Sequence, residues 1–554
     1  MESKRQSLHQ GAYTLLVTAI ITKIIGALFK IPLSSDYCLG DIGFGYFSAA
    51  YDFYTPIYVL AISGFPVAIS KIIADFAANG ERENVFKTFC TARNILFKIA
   101  IIGTVILCVV AYPLSVLIDN TGMTFLPLLA TVPAFFFCCV SSIYRGYYEG
   151  ISNMFPTAVS NIIEAVCKLI LGFSFALLTV KLSGNPAFGA TGAILGITVG
   201  TVLSAFYLAQ SFKNDMKSTG NGKYLTKKPD TVFSKTVWVM TVTVALSSLV
   251  GSFVALVDTV TVRWQLASYS NEAKSIFTAF YDDVFYAYQG TKCDVSAELL
   301  PTFLYGIRSK AYTLFNLVPT LTVALGVSLI PSVTSAYVKG ERQELDFNIS
   351  TVIKLVSIIS LPVGFGFIAL NTRIMTFLYG YKVSSFIGGK MLAVYGLATV
   401  FSGITVAQIC VLQAINRHFS ALRNVAVGIA VKILLNLSLG AIPSLNIWAS
   451  VIATVICYTV VFALNTLSIG FSLDTFNHMN SYLKPFISAI VCGVTAFLVS
   501  LIGNGKTVTF AAIVIAGAVY FAALFFFRTF TDDDILALPY GKKVLNVLKN
   551  TKIM

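Results

Sequence analysis

Two lysines interrupt apolar runs of this 554-residue chain, and they occupy matching positions. Lys168 lies in FPTAVSNIIEAVCKLIL, and Lys432 lies in HFSALRNVAVGIAVKILLNL at an offset of 264 residues. If these runs cross a membrane, each charge costs about 2.5–3.5 kcal/mol on insertion scales, so it is a functional candidate by default. An ammonium group in that position can bind an anion. The pair therefore predicts a central cavity that binds a negatively charged ligand.

Five further basic residues lie in or beside apolar runs and extend the candidate anion site. Lys23 and Lys30, in TKIIGALFKIP, are two helical turns apart and therefore share one face of a helix, although Lys30 could also reach outward to the interface. Arg308 and Lys310 open another apolar run, where they contact a cavity mouth or anchor the helix at the membrane interface. Arg145 precedes YYEG at an expected cytoplasmic turn, where it guides an anionic group or serves as a charge anchor.

An acid accompanies the first of the duplicated lysines only. Glu164 lies four residues before Lys168, so the two can pair on one helix face and neutralise each other. At the position that matches Glu164, the second copy has Gly428. Lys432 thus lacks an acid one turn before it, which favours an aqueous cavity or an anionic ligand around it.

Asp258 is the deep acid of the second half and suggests a different site. It lies in GSFVALVDTVTVRWQ, where Arg263 could neutralise it. Alternatively it binds a coupling ion, Na+ or H+, with Asn436 as a second ligand. No other cofactor and no metal site is expected.

Composition places the chain in a membrane. Hydrophobic residues make up 56% and charged residues 12%, whereas soluble domains carry roughly 25% charged residues. We expect an all-α polytopic protein with about fourteen spans of about 20 residues each. The net charge of +14 lies mostly in short loops, which indicates contacts with membrane lipids and control of topology rather than nucleic acid binding. The distribution of Lys and Arg predicts that both termini are cytoplasmic.

The sequence contains an internal repeat, in which segments of the first half match segments of the second half. Besides the lysine segments, GFPVAIS at Gly64 matches LIPSVTS at Leu329, and each is followed by a G-E-R stretch, at Gly80 and Gly340. Two parallel six-helix lobes around a central cavity, related by a pseudo-two-fold axis, are a transporter architecture. The predicted divisions are an N-terminal lobe at 1–211, a basic linker at 212–233, a C-terminal lobe at 234–471, two additional spans at 472–528, and a cytoplasmic tail at 529–554.

Motifs for enzymatic chemistry are lacking in the sequence. There is no phosphate-binding Walker loop, and three histidines in the whole chain (His9, His418 and His478) leave no Ser/His/Asp set. These observations favour a transporter over an enzyme.

Three stretches carry a family resemblance: GFPVAISKIIADFAANGE, YGIRSKAYTLFNLVPTLTVALGVSLIPSVTSA and IPSLNIWASVIATVICY. They resemble the polysaccharide-biosynthesis and stage V sporulation protein B branch of the multidrug/oligosaccharidyl-lipid/polysaccharide exporter superfamily, which is related to MurJ-type lipid II flippases. The resemblance implies a V-shaped cavity whose cations bind pyrophosphate. It places Lys23 where those flippases have a span-one arginine, and Arg308 and Lys310 near their span-eight arginine. Asp258 matches a span-seven acid of relatives that couple transport to sodium or membrane potential.

The resemblance implies a flippase of the bacterial cytoplasmic membrane. Its substrate would be an undecaprenyl-pyrophosphate-linked sugar, such as a lipid II-like precursor, moved by alternating access, and we expect a monomer. One alternative is a drug/cation antiporter of the same superfamily, which would need cavity acids and twelve spans. A membrane glycosyltransferase is a second alternative, and it would need a catalytic acid in an outer loop.

Overall fold

The fold consists of helices in the part of the chain that the structure describes. This computed structural model describes residues 8–119, 121–219, 235, 238, 253–289, 295–473, 479–503, 505–527 and 529. No β-strand occurs among those residues, so the all-α class is confirmed. Most of the predicted linker and nearly all of the predicted tail lie outside the described residues.

The helices are numbered here in chain order. In the first half they are α1 (Leu8–Leu33), α2 (Gly40–Val59), α3 (Phe65–Ala78), α4 (Arg82–Asp119), α5 (Phe125–Gly150), α6 (Phe155–Cys167), α7 (Phe173–Ser183) and α8 (Pro186–Thr219). In the second half they are α9 (Phe253–Ala267), α10 (Asn271–Gln289), α11 (Leu300–Phe315), α12 (Leu317–Lys339), α13 (Arg342–Tyr379), α14 (Val383–Ala414), α15 (His418–Gly440), α16 (Trp448–Leu473), α17 (Met479–Ser500) and α18 (Lys506–Phe526).

Ten of the described helical segments are long and apolar enough to cross a membrane. They are α4, α5, the combined α6–α7, α8, and α13 to α18. The chain is thus a multi-pass membrane protein, as its composition indicates. The count of fourteen spans stays a prediction.

The described chain forms two compact units. The first contains residues 1–309 and 436–447, and the second contains residues 310–435 and 448–554. This grouping follows contacts rather than the repeat, because all of α9 and parts of α11 and α15 belong to the first unit. The predicted division into lobes remains a prediction.

The repeat is visible in the local structure of matching turns. Gly80 and Gly340 end α3 and α12 with φ of 74° and 73°, a left-handed conformation that glycine adopts at little cost. After each glycine, the glutamate N–H bonds back to a helix carbonyl, at 2.9 Å from Glu81 and 3.1 Å from Glu341. The two G-E-R stretches are therefore the same helix-ending turn.

A second pair of matching turns connects α5 to α6 and α14 to α15. Here Ser152 and Asn416, 264 residues apart, have φ of 59° and 63°. The next residue in each turn, Asn153 or Arg417, donates its N–H to the carbonyl five positions back, at 2.9 and 2.8 Å. The repeat predicted from residue identities thus also holds for backbone conformation.

Two π-helical turns, Leu60–Gly64 and Lys168–Gly172, interrupt the helices of the first unit. The second turn separates α6 from α7, and α8 packs closely on it, because a Cβ on Gly196 would overlap the backbone of Gly172. Such single turns widen a helix locally and often occur at functional sites. This one begins at Lys168.

Glycines let α2 and α11 approach each other within the first unit. A Cβ on Gly45 would meet the Thr302 carbonyl, and one on Gly306 would meet the Asp41 carbonyl. Backbones at such short range bring the side chains further along both helices into direct contact.

The second unit is built around the pair α13 and α14. Gly364 and Gly396 let these helices pack closely, because a Cβ on Gly364 would lie 2.8 Å from the Gly396 carbonyl oxygen. The two helices that follow the repeat, α17 and α18, pack on α13. On that face, Tyr520 donates a hydrogen bond to the Ile358 carbonyl over 2.9 Å. The additional spans are therefore an integral part of this unit.

The acidic segment between α9 and α11 contains α10, which packs on the 436–447 segment of the first unit. Tyr281 donates to Asn446 Oδ1 over 2.8 Å, and Tyr269 donates to the Gly440 carbonyl over 2.7 Å. Burial raises the pKa of Tyr269 to about 12. These contacts fix α10 to the rest of the first unit.

Candidate functional site

An aromatic ladder on α2 organises the site. Five rings follow one another at alternating spacings of three and four residues, which places them on one helix face. Consecutive ring centroids lie 5.5 to 5.8 Å apart. The ladder consists of Phe44, Phe47, Tyr51, Tyr54 and Tyr58. Its 3-4-3-4 spacing is the signal in the sequence that could have identified this face.

Two of the predicted lysines contact Tyr51, and a third interacts with it electrostatically. Lys168 donates a hydrogen bond from Nζ to the Tyr51 hydroxyl over 2.8 Å, and its Nζ lies 4.5 Å from the ring centroid. Lys30 Nζ lies 4.2 Å from the same centroid. Lys23 is exposed and interacts electrostatically with both Tyr51 and Lys168. We call Lys23, Lys30 and Lys168 the basic cluster.

The local structure explains how the basic cluster forms. Lys23 and Lys30 both lie on α1, on the face that their seven-residue spacing predicts. Lys168 begins the second π-turn and lies 5.4 Å from the Phe29 ring centroid. Aromatic faces attract cations, so the rings hold like charges together without neutralising them.

Arg145 is buried inside the first unit, which corrects its prediction as a residue of a cytoplasmic turn. Helix α5 continues to Gly150, so Arg145 is more than one turn from its end. Its guanidinium forms a salt bridge with Glu164 at 3.3 Å and bonds to Ser160 and Ser204. Only 2% of Arg145 is exposed.

Glu164 therefore pairs with Arg145, which corrects the predicted salt bridge with Lys168. Its other oxygen accepts a hydrogen bond from the Tyr54 hydroxyl over 3.2 Å. Because Glu164 points to Arg145, the ammonium group of Lys168 is available to the basic cluster, although it interacts electrostatically with Glu164.

Asp258 and Asn436 meet, as the ion-site hypothesis requires. Asn436 Nδ2 donates to Asp258 Oδ1 over 2.9 Å and to Thr261 Oγ1 over 2.9 Å. The salt bridge of Asp258 is with Arg308, which corrects the predicted neutralisation by Arg263. Arg263 instead donates to the Thr302 hydroxyl over 3.0 Å.

Arg308 is fully buried, so it is neither an interfacial anchor nor an open mouth residue in this structure. It lies within α11, one turn after Tyr305, to whose hydroxyl it donates over 3.3 Å. The ionic contact with Asp258 fixes its position, because a buried charge requires a partner.

Asp52 belongs to this region and was missed by the sequence analysis. It follows Tyr51 on α2, and its Oδ2 accepts hydrogen bonds from Tyr305 at 2.7 Å and Thr259 at 2.8 Å. These donors lie over 200 residues away along the chain. The signal available in the sequence was an acid next to the ladder, in YDFY.

The two remaining predicted lysines lie in the second unit. Lys310 is buried, with its Nζ 5.0 Å from the Tyr379 ring centroid. Lys432 is fully buried, which differs from the open aqueous cavity that its lack of a neighbouring acid favoured. The close packing of α15 on α16 explains this: a Cβ on Gly428, one turn before Lys432, would overlap Val461.

Chemically, the first unit offers clustered ammonium groups on an aromatic face. That set can bind an anion by charge and hydrogen bonding, and it repels cations. Among the described residues, no group of three or more His, Cys, Asp or Glu side chains could hold a metal ion. The site thus fits an anionic ligand best.

The sequence comparisons give the family. Residues 8–338, more than half of the chain, match the family model described as polysaccharide biosynthesis protein. This chain belongs to that family. The resemblance stated from sequence is thereby confirmed.

Two curated relatives cover almost the full length of this chain, and a third covers about four fifths of it. It is 25% identical over 563 residues to an uncharacterized membrane protein, YabM, of Bacillus subtilis (strain 168), covering 99% of this chain and 97% of that protein. Stage V sporulation protein B of the same organism is 25% identical over 551 residues, with 97% and 98% covered. The lipid II flippase MurJ of that organism is 23% identical over 470 residues, with 81% and 80% covered.

Solved structures show the same fold. A lipid II flippase MurJ in an inward closed conformation superposes with a TM-score of 0.67 and 16% identity, covering 92% of this chain and 98% of that chain. An inward-facing MATE family transporter of the MOP superfamily gives 0.58 and 14%, covering 84% and 99%. Among the curated relatives, MurJ is named a flippase, which agrees with the prediction of a transporter rather than an enzyme.

Proposed function

We propose that this protein is a flippase that moves a polyprenyl-pyrophosphate-linked saccharide across a membrane. The observation that carries the proposal is the basic cluster: Lys168 and Lys30 contact Tyr51, and Lys23 interacts electrostatically with it. Glu164 forms its salt bridge with Arg145 rather than with this cluster. A pyrophosphate supplies several strong acceptor oxygens for ammonium donors. The lipid-linked substrate named for MurJ relatives supports this substrate class.

In the proposed mechanism, the basic cluster binds the pyrophosphate and the aromatic ladder packs against the sugars. The polyprenyl tail stays in the lipid, because its burial elsewhere would require a large apolar channel. Alternating access between the two lobes then exposes the headgroup on the outer side. We further propose that Lys310, Lys432 and Arg308 contact the headgroup in the course of that cycle.

Translocation of a fluorescent polyprenyl-pyrophosphate sugar in proteoliposomes tests the proposal. We expect wild-type protein to translocate it and Lys168→Gln to lower the rate at least tenfold. The matched control is Lys71→Gln, which removes a positive charge from an exposed position on α3. Equal rates for wild-type protein and Lys168→Gln would contradict the proposed site, and absence of translocation by wild-type protein would contradict the proposed function.

We also propose that Na+ or H+ couples to transport at Asp258. Asn436 is fully buried next to this acid, and its Oδ1 has no hydrogen-bond partner among the described residues, which supports a role for this oxygen as a cation ligand. Asp258→Asn should abolish the dependence of translocation on a Na+ or pH gradient. If the gradient dependence persists in that variant, the coupling site lies elsewhere.

The location that fits this function is the bacterial cytoplasmic membrane, with both termini inside and one chain acting as a monomer. A drug/cation antiporter is disfavoured by the clustered ammonium groups, which would repel a cationic drug. Uptake of a cationic dye against a gradient would identify that alternative, and sugar transfer in vitro would identify a glycosyltransferase.

A further inference from the structure

Asp52 is an acid that lies among cations. Hydrogen bonds from two hydroxyl groups hold its carboxylate. Its Oδ2 accepts hydrogen bonds from the hydroxyl groups of Tyr305 and Thr259, at 2.7 and 2.8 Å. The carboxylate also interacts electrostatically with Arg308 and Lys30. All of these residues belong to the first unit. Asp52 therefore connects the basic cluster to the buried pair Asp258–Arg308.

We propose that Asp52 is an internal counter-anion that the substrate's phosphate displaces. When no substrate is bound, its carboxylate partly neutralises the cations at the site. When a phosphate binds, it takes over the cations and Asp52 leaves Tyr305 and Thr259. This inference rests on the proposed function, and it adds a residue that limits how tightly the pyrophosphate binds.

Asp52 differs from Glu164 and Asp258 in the groups that bind its carboxylate, and this difference makes it the acid that an anion can displace. Glu164 and Asp258 each form a direct salt bridge with a buried arginine, and breaking such a pair is costly. Asp52 instead accepts hydrogen bonds from two neutral hydroxyl groups, so its departure leaves no buried guanidinium without its own carboxylate. A second anion competing for the cations can overcome that hold.

A transporter gains from such a competitor. Clustered cations without a counter-anion would repel one another in the empty site and hold a pyrophosphate tightly once it bound. A tethered carboxylate lowers the affinity of the empty site by its own prior interaction with the cations, and it returns when the headgroup leaves. Binding thus stays reversible, which a carrier needs in order to release its cargo.

Direct binding measurements test the role of Asp52 by the sign of the effect. With farnesyl pyrophosphate as the probe and full-length protein in detergent, Asp52→Asn should bind at least about fivefold more tightly than wild-type protein. Asp52→Glu retains the charge and should stay within about twofold of wild-type protein. Asp75→Asn removes an equal charge from an exposed position on α3 and should change nothing.

The outcomes separate this inference from the proposed function. If wild-type protein does not bind the probe, the proposed function fails, and the role of Asp52 fails with it. If wild-type protein binds but Asp52→Asn binds equally or more weakly, only the role of Asp52 is overturned. A gain shared by Asp52→Glu or Asp75→Asn also overturns it, because the effect would not come from the charge at this position.

A measurement on wild-type protein avoids any folding defect of the variants. Carbodiimide labelling of Asp52, located by mass spectrometry, should increase when farnesyl pyrophosphate is bound, because displacement frees the carboxylate from Tyr305 and Thr259. Unchanged or decreased labelling would mean that the carboxylate stays in place and would overturn the proposal.

Discussion

The two copies of the repeat keep the same lysine in different surroundings. Lys168 starts a π-turn, is partly exposed, and bonds to a tyrosine of the aromatic ladder. Lys432 lies inside the uninterrupted helix α15 and is fully buried. Four residues before the lysine, the first copy has the buried Glu164, and the second copy has Gly428, which packs on the next helix.

This difference teaches that a duplicated charge need not be a duplicated function. In the first copy, Glu164 is held by Arg145, so the lysine remains available at a partly open surface. In the second copy, Gly428 lets α15 and α16 approach, and the lysine on that face is enclosed. The lysine of the first copy is therefore the more accessible of the two to an anionic ligand in this conformation.

The largest expected effect concerns the acid that only the first copy has. Glu164→Ala leaves Arg145 buried without its carboxylate, so we expect a loss of about 3–5 kcal/mol in the free energy of unfolding. Unfolding by SDS titration measures it. The double variant Arg145→Met/Glu164→Ala should recover most of the loss. A single variant within about 1 kcal/mol of wild-type protein would show that this pair does not organise the first copy.

The glycine at the same position of the second copy gives a smaller effect. Gly428→Ala places a methyl group against Val461 and 3.3 Å from Cys457 Sγ. We expect overpacking to cost about 1–3 kcal/mol in the free energy of unfolding. Val461→Ala in the same chain should relieve it. If Gly428→Ala is neutral, close packing of α15 and α16 does not explain the burial of Lys432.

Ligand binding compares the two lysines directly. Lys168→Gln should weaken binding of farnesyl pyrophosphate about tenfold, equivalent to about 1.4 kcal/mol, because it removes a donor from the basic cluster. Lys432→Gln should weaken it less than about threefold in the same assay, since its side chain is enclosed. The reverse order would show that the enclosed Lys432, and not Lys168, is the main anion ligand.

The sequence predicted those properties that depend on local patterns. Helical class, membrane location, the match of the G-E-R stretches at Gly80 and Gly340, and the lysines of the basic cluster all follow from composition, spacing and repetition. The partners of the charged residues did not follow. Arg145, Asp258 and Asp52 pair with residues 19, 50 and 207 or more positions away, and such pairings depend on how helices pack.

The two salt bridges predicted between near neighbours in the sequence are wrong for the same reason. Glu164 was paired with Lys168 and Asp258 with Arg263 because each pair lies within about one helical turn. In both cases a more distant arginine reaches the acid in the folded chain. Helix proximity creates the opportunity for a salt bridge, but tertiary packing decides whether it forms.

The smallest expected effect compares the matching turns at Ser152 and Asn416. Both residues have φ near 60°, which costs an ordinary residue about 1–2 kcal/mol and asparagine less. Ser152→Gly should therefore raise the free energy of unfolding by about 0.5–1 kcal/mol, after the greater chain entropy of glycine in the unfolded state is counted. Asn416→Gly should change it by less than about 0.3 kcal/mol, because asparagine already tolerates this conformation. SDS titration of both variants in one detergent provides the comparison. Equal gains would show that the two turns carry the same strain and that their sequence difference has no energetic meaning, whereas a gain at Ser152 alone would show that the copies differ in stability even where their backbones coincide.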